Sequence, residues 1–150
     1  MNPSHLFISP VLVAGLISWF LGQVIKVLVA YLHRHAWDWS LLFSAGGMPS
    51  THAALMSAVT LAIGLYVGFN SPLFALAFAL SMVVMYDATG IRRQAGMHAQ
   101  KINLLINKLF SGQPISDEQL KEVLGHSPFQ VVMGTLLGCS IALIVWLVYR

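Results

Sequence analysis

Charge is scarce in this sequence: Lys and Arg number 8 and Asp and Glu 5 among 150 residues, 9% in all, where a soluble domain carries about 25%. With 57% hydrophobic residues and a mean hydropathy of +0.76, that scarcity excludes a water-soluble globule. Cysteine is nearly absent too. A single Cys139 inside an apolar run offers neither a disulfide framework nor a thiolate zinc site. A net charge of +3 is too small for a nucleic-acid footprint and better suits membrane topology or an anionic head group. No carboxylate cluster is in place to hold a divalent metal, no cofactor is implied, and neither internal repeats nor low-complexity segments occur.

What the sequence has instead is long apolar runs. At about 20 residues per crossing plus loops, the chain has room for four helices or at most five, so a single integral membrane domain over 1–150 is expected. The first run, residues 10–32, is about 34 Å long as a helix, enough to cross a bilayer with some tilt. It lacks a basic segment before it and a small-residue cleavage site after it, and it contains Gln23 and Lys26, so it reads as a retained span rather than a signal peptide. A second run, 51–69, is broken by Asn70-Ser71-Pro72, and a third covers 73–87; the break reads as a tight hairpin turn. The fourth run is 129–149. Residues 36–48 are too short to cross and rich in Trp, which suits an interfacial or re-entrant piece. The expected fold class is therefore all-α, a polytopic membrane helix bundle of about four transmembrane helices.

The one markedly polar region, 90–127, carries Arg92, Arg93, Lys101, Lys108 and Lys121. Ile102, Leu105, Ile106 and Leu109 recur at helical spacing, which predicts an amphipathic cytoplasmic helix at the membrane surface. Ser116 ahead of Asp117, Glu118 and Gln119 predicts a capped start for a second short helix reaching Leu124. With four crossings, loops 33–50 and 90–127 share one side and hold nearly all the cations. The positive-inside rule then places both in the cytoplasm, in a bacterial inner membrane or plasma membrane. Gly64/Gly68 and Gly134/Gly138 are small-xxx-small pairs that serve either packing within the chain or a homodimer seam.

Polar residues within or beside the spans are the expensive ones. Lys26 lies about 9 Å inside its helix end, where an unescaped charge costs about 2.5–3.5 kcal/mol, so it must snorkel or find a partner. His33 shares its face and Arg34 sits at the rim. Gly46-Gly47-Met48-Pro49-Ser50-Thr51-His52 precedes the second span: Ser50 reads as an N-cap, and the helix start offers N–H groups and a positive dipole end to an anion, with His52 in its first turn. Asp87 closes the third span, and Arg92-Arg93 beyond it serve either as a positive-inside anchor or as a bidentate grip on phosphate oxygens. Gly125-His126-Ser127-Pro128 opens the last span, with Glu122 four residues earlier placed to orient the imidazole. All these sets fall on one side of the membrane.

Together they resemble the type 2 phosphatidic acid phosphatase superfamily, which includes vanadium-dependent haloperoxidases, and most closely its divergent short branch. Pro49-Ser50-Thr51-His52 is similar to that family's P-S-G-H block with Thr for Gly. Lys26 and Arg34 stand for K-x-x-x-x-x-x-R-P, one residue further apart and without the proline. Arg92 or Arg93 stands for the arginine of the third block, and the run from His126 through Gln130 to Gly134 resembles its H-x-x-x-D-V-x-x-G, about thirty residues downstream. Gln130 occupies the position of the acid, and about four helices replace six. His98 lies at the right distance from Arg92 but has Ile102 at the acidic position, which favours His126.

The resemblance implies phosphatase chemistry without a metal. His126 would be the nucleophile and His52 the acid and base. Lys26, Arg34, Ser50, Thr51, Arg92 and Arg93 would hold phosphate, supported by Glu122, Asp87 and Gln130. The implied substrate is a lipid phosphate such as phosphatidate, phosphatidylglycerophosphate or an isoprenyl phosphate, reached from the bilayer, with the site facing the cytoplasm. Two other classes compete: a non-catalytic lipid-phosphate binder or transporter on the same fold, and a structural membrane subunit.

Overall fold

The structure is a computed structural model and describes residues 9–35, 37–43, 46–109 and 125–150. All regular structure among these residues is helical. α1 (Pro10–Arg34) starts with proline at its first turn and stops at His35, whose left-handed φ of 52° turns its N–H back to the Tyr31 carbonyl. After a short 3₁₀ turn at Trp39–Phe43 come α2 (Thr51–Val67), α3 (Pro72–Thr89), α4 (Ile91–Leu109) and α5 (Pro128–Tyr149). Three apolar helical stretches, Pro10–His33, Pro72–Asn107 and Pro128–Tyr149, are long enough to cross a membrane, and α2 is a shorter apolar helix.

α2 stops two residues before the apolar run does. Gly68 adopts φ 111°, and its N–H caps the carbonyls of Ile63 and Gly64. Ser71 then accepts from Phe74 N at 3.2 Å, with Pro72 in the first turn, so the hairpin turn doubles as the cap that launches α3. α4 is longer than the expected amphipathic segment, because after Gly90 the arginine-bearing stretch is already helical.

The packing is that of a bundle in lipid. α2 is central and is flanked by α1, α3 and α5, with its most extensive contact on α5. The core between them is built of Ala14, Ala58, Ala62, Ala142 and Val145, while Leu16, Phe20, Leu76, Leu80, Val83, Leu136 and Leu147 point outward. Water would oppose that exposed apolar surface; acyl chains solvate it, and small residues let the helices approach closely. Hydrogen bonds tie the helices together within the apolar layer, from Ser18 Oγ to the Ala54 carbonyl at 2.9 Å and between Thr60 Oγ1 and Ser81 Oγ at 2.7 Å. Near the C-terminal end of α1, Tyr31, Trp37 and Trp39 stack in series with centroids 4.3 and 5.5 Å apart. Both indoles are exposed, as in an interfacial aromatic belt.

Three of the four paired glycines meet neighbours within the chain, and Gly68 meets none. A Cβ at Gly134 would collide with the Ser50 carbonyl, one at Gly138 with the Ala54 carbonyl and Ser57 hydroxyl, and one at Gly64 with the Phe69 ring. Gly68 caps α2 and so does not extend a helix face with Gly64.

Candidate functional site

The up-and-down order of the bundle brings the end of α1 and the starts of α2 and α5 to one end, where α3 also finishes. Two backbone bonds lock them. Ser50 N donates to the Gln130 carbonyl at 3.0 Å, and His126 N donates to the Ala88 carbonyl at 3.0 Å. The Gly134 approach to Ser50 closes the same joint, so the Pro49-Ser50-Thr51-His52 block is seated directly on the first turns of α5.

His126 is 2% exposed. Its ring centroid lies 6.2 Å from that of His52, in an edge-on arrangement. Its Nδ1 is 3.3 Å from Gln130 Oε1, and that same oxygen accepts the Ser127 N–H at 3.0 Å to complete a capping box. Because the Ser127 N–H can only donate, the amide atom facing it is the oxygen, and the partner at Nδ1 must then be a donor. This pattern assigns the proton to Nδ1. Nε2 is left with its lone pair, buried and without a hydrogen-bond partner among the described residues. Burial is the main influence holding the His126 pKa below its ordinary 6.5; the Gln130 hydrogen bond and the Gly47 backbone oppose the shift, while positive charge at His52 and Lys26 reinforces it. At neutral pH the imidazole is uncharged.

Among the described residues Lys26 is the largest fully buried side chain, at 1% exposure. The loop before α2 folds over it. Gly47 has a φ of 93°, open to glycine, and a Cβ there would come within 2.9 Å of Lys26 Cγ. The charge therefore does not snorkel to the surface: it is held in the protein interior, near enough to act on His126. Ser50 is wholly buried as the N-cap of α2, accepting from Ala53 N at 3.3 Å, and Thr51 packs its methyl on Gly22 of α1.

The structure thus gathers Lys26, His52, His126, Gln130 and the Ser50-Thr51 cap. Asp87 stands next to Ala88, whose carbonyl holds His126. The side chains of Arg34, Arg92, Arg93 and Lys108, all of Glu122, and the short helix expected up to Leu124 lie outside the described residues. His33 is exposed and bonds back to the Val29 carbonyl at 2.9 Å, away from the cluster. His98 is exposed on α4, lining an open groove of about 490 Å³ with Tyr86 and Gln94. One contributor, the Ala88 carbonyl, gives no sequence signal; Gly47 and Gly134 belong to the two histidine blocks, and the structure sets them against Lys26 and the Ser50 carbonyl. Among the described residues, no group of three or more His, Cys, Asp or Glu side chains is arranged to hold a metal ion.

Residues 7–141 match the divergent PAP2 family. The chain is also 36% identical over 144 residues to a Bacillus subtilis (strain 168) protein called "Uncharacterized membrane protein YuiD", a match covering 89% of this chain and 91% of that one. No solved structure matches.

Proposed function

The chain belongs to the divergent PAP2 family, and from that premise we propose that it is a membrane-embedded phosphatase that hydrolyses a lipid phosphate through a phosphohistidine intermediate. The observation that carries the reading is the buried, unpartnered Nε2 of His126, beside Lys26 and His52. A buried polar atom without a partner costs about 1–3 kcal/mol, and a phosphoryl group would engage it.

In the proposed step, the Nε2 lone pair attacks phosphorus and the bond to the lipid oxygen breaks. His52 gives that oxygen its proton. Water, deprotonated by His52, then attacks the phosphohistidine and releases inorganic phosphate, returning the electron pair to Nε2. Lys26 and the N–H groups at the start of α2 stabilise charge on the equatorial oxygens, joined by Arg34 and one arginine of the 92–93 pair. Gln130 holds the tautomer. A site at the ends of membrane helices suits a substrate whose tail stays in the bilayer, and the cation-rich loops favour a site on the cytoplasmic face.

Phosphate release from micellar phosphatidate by the purified chain tests this. Turnover should survive EDTA, be inhibited by vanadate and vanish in His126→Ala; a metal requirement contradicts the mechanism. Gln130 favours one other reading, a lipid-phosphate binder or transporter, because an amide supports positive charge on His126 less well than a carboxylate does. Saturable binding with no phosphate release would select it.

A further inference from the structure

Half-way through the bundle, α3 draws away from α5, which it meets at only a few points, and leaves a cleft of about 300 Å³ bounded by α2, α3 and α5. We infer that this cleft holds the hydrocarbon tail of the lipid phosphate whose head sits at His126. The inference rests on the lipid-phosphate reading above and adds where the tail lies.

Four observations carry it. The cleft begins beside the site: Met85 in its wall is one turn from Ala88, whose carbonyl holds His126, and Ser57 is one turn beyond Ala53, the residue after His52. Its length fits, since Phe74 to Met85 spans about 16 Å of α3, close to the ~15 Å hydrocarbon depth of one leaflet. Its polar groups ask nothing of an occupant. Thr60 Oγ1 pairs with Ser81 Oγ at 2.7 Å, Ser57 Oγ donates to the Ala53 carbonyl at 2.7 Å, and Thr135 Oγ1 donates to the Val131 carbonyl at 3.0 Å. Finally, the far end is lined by aromatic rings, with Phe69, Phe74 and Phe78 in sequential contact at 5.1 and 6.2 Å. A tail enters laterally from the bilayer between α3 and α5, so its phosphate reaches the histidines without the chain crossing water.

The test uses dodecyl phosphate carrying a diazirine at the tail end, photolysed with the purified full chain in micelles, with adducts mapped by mass spectrometry. Adducts should fall on Phe69, Phe74 or Phe78, be displaced by unlabelled dodecyl phosphate at least 10-fold better than by dodecanol, and drop at least 10-fold in Cys139→Trp, which fills the cleft wall. They should persist in His126→Ala, where turnover is gone. Adducts on Leu76, Leu80 and Val83 across α3, no adducts, or equal displacement by dodecanol would overturn the inference, whatever the variant does. Cleft adducts in a chain that releases no phosphate would overturn the phosphatase and leave the tail site standing; turnover with adducts on the outer face would do the reverse.

Discussion

Gln130 Oε1 holds His126 Nδ1 at 3.3 Å while also accepting the Ser127 N–H at 3.0 Å. One oxygen therefore sets both the start of α5 and the tautomer of the proposed nucleophile. Nδ1–H is committed to a neutral acceptor, and Nε2 is buried without a hydrogen-bond partner among the described residues.

Replacing that amide separates its two jobs. Gln130→Glu keeps the capping box and puts a negative charge beside Nδ1–H, so the His126 pKa rises and the acidic limb of the rate profile moves to higher pH. Gln130→Leu frees the tautomer, and turnover falls on the order of 10²-fold, less than the ~10⁴-fold that losing the tautomer-fixing carboxylate costs in a Ser-His-Asp triad. Steady-state rates from pH 4 to 9 for both variants check this; identical profiles for the wild type and Gln130→Leu would remove Gln130 from the mechanism.

Gly134 is the joint between the two histidine blocks. Gly134→Ala drives a methyl into the Ser50 carbonyl, and overpacking of this kind costs about 1–3 kcal/mol. The thermal midpoint in detergent should fall and turnover with it. Ser140→Ala, exposed on the same helix and bonded only within it to the Leu136 carbonyl, should change neither.

Stability should weaken in acid. The folded chain holds the His126 pKa below 6.5 and so resists the proton that an unfolded chain takes up near 6.5. As pH falls through that value, unfolding becomes easier, and the loss levels off once the folded form is protonated as well. Thermal unfolding between pH 4 and 8 reads this directly, and His126→Gln should flatten the part of the slope just below 6.5.

The spans were legible because lipid leaves a simple mark: α1, α3 and α5 begin and end within two residues of the apolar runs 10–32, 73–87 and 129–149. α2 ends sooner because Gly68 caps it through a positive φ that hydropathy does not record. The histidines and Lys26 were legible as costly residues on one side of the membrane. The Ala88 carbonyl that fixes His126, and the close approach of Gly134 to Ser50, were not, since both arise where distant backbones meet. Gln130 read as a missing acid; its place in the capping box shows that it retains the orienting contact.

The cation-rich loops predict a topology that labelling can check. In a Cys139→Ser background, cysteines introduced at Ser40 and Gln113 should resist an impermeant thiol reagent added to intact cells and react after permeabilisation. Labelling of either before permeabilisation reverses the orientation and puts the site on the outer face.

A trapped phosphoenzyme would identify His126 as the nucleophile. Protein mixed with phosphatidate labelled in its phosphate and quenched should carry base-stable phosphohistidine at His126. His126→Ala should lose it together with turnover while still binding phosphate through Lys26. His52→Ala should turn over 10²–10⁴-fold more slowly and be partly rescued by an aryl phosphate, and His98→Ala should be nearly silent. Label on His98, or hydrolysis that persists in His126→Ala, would contradict the account.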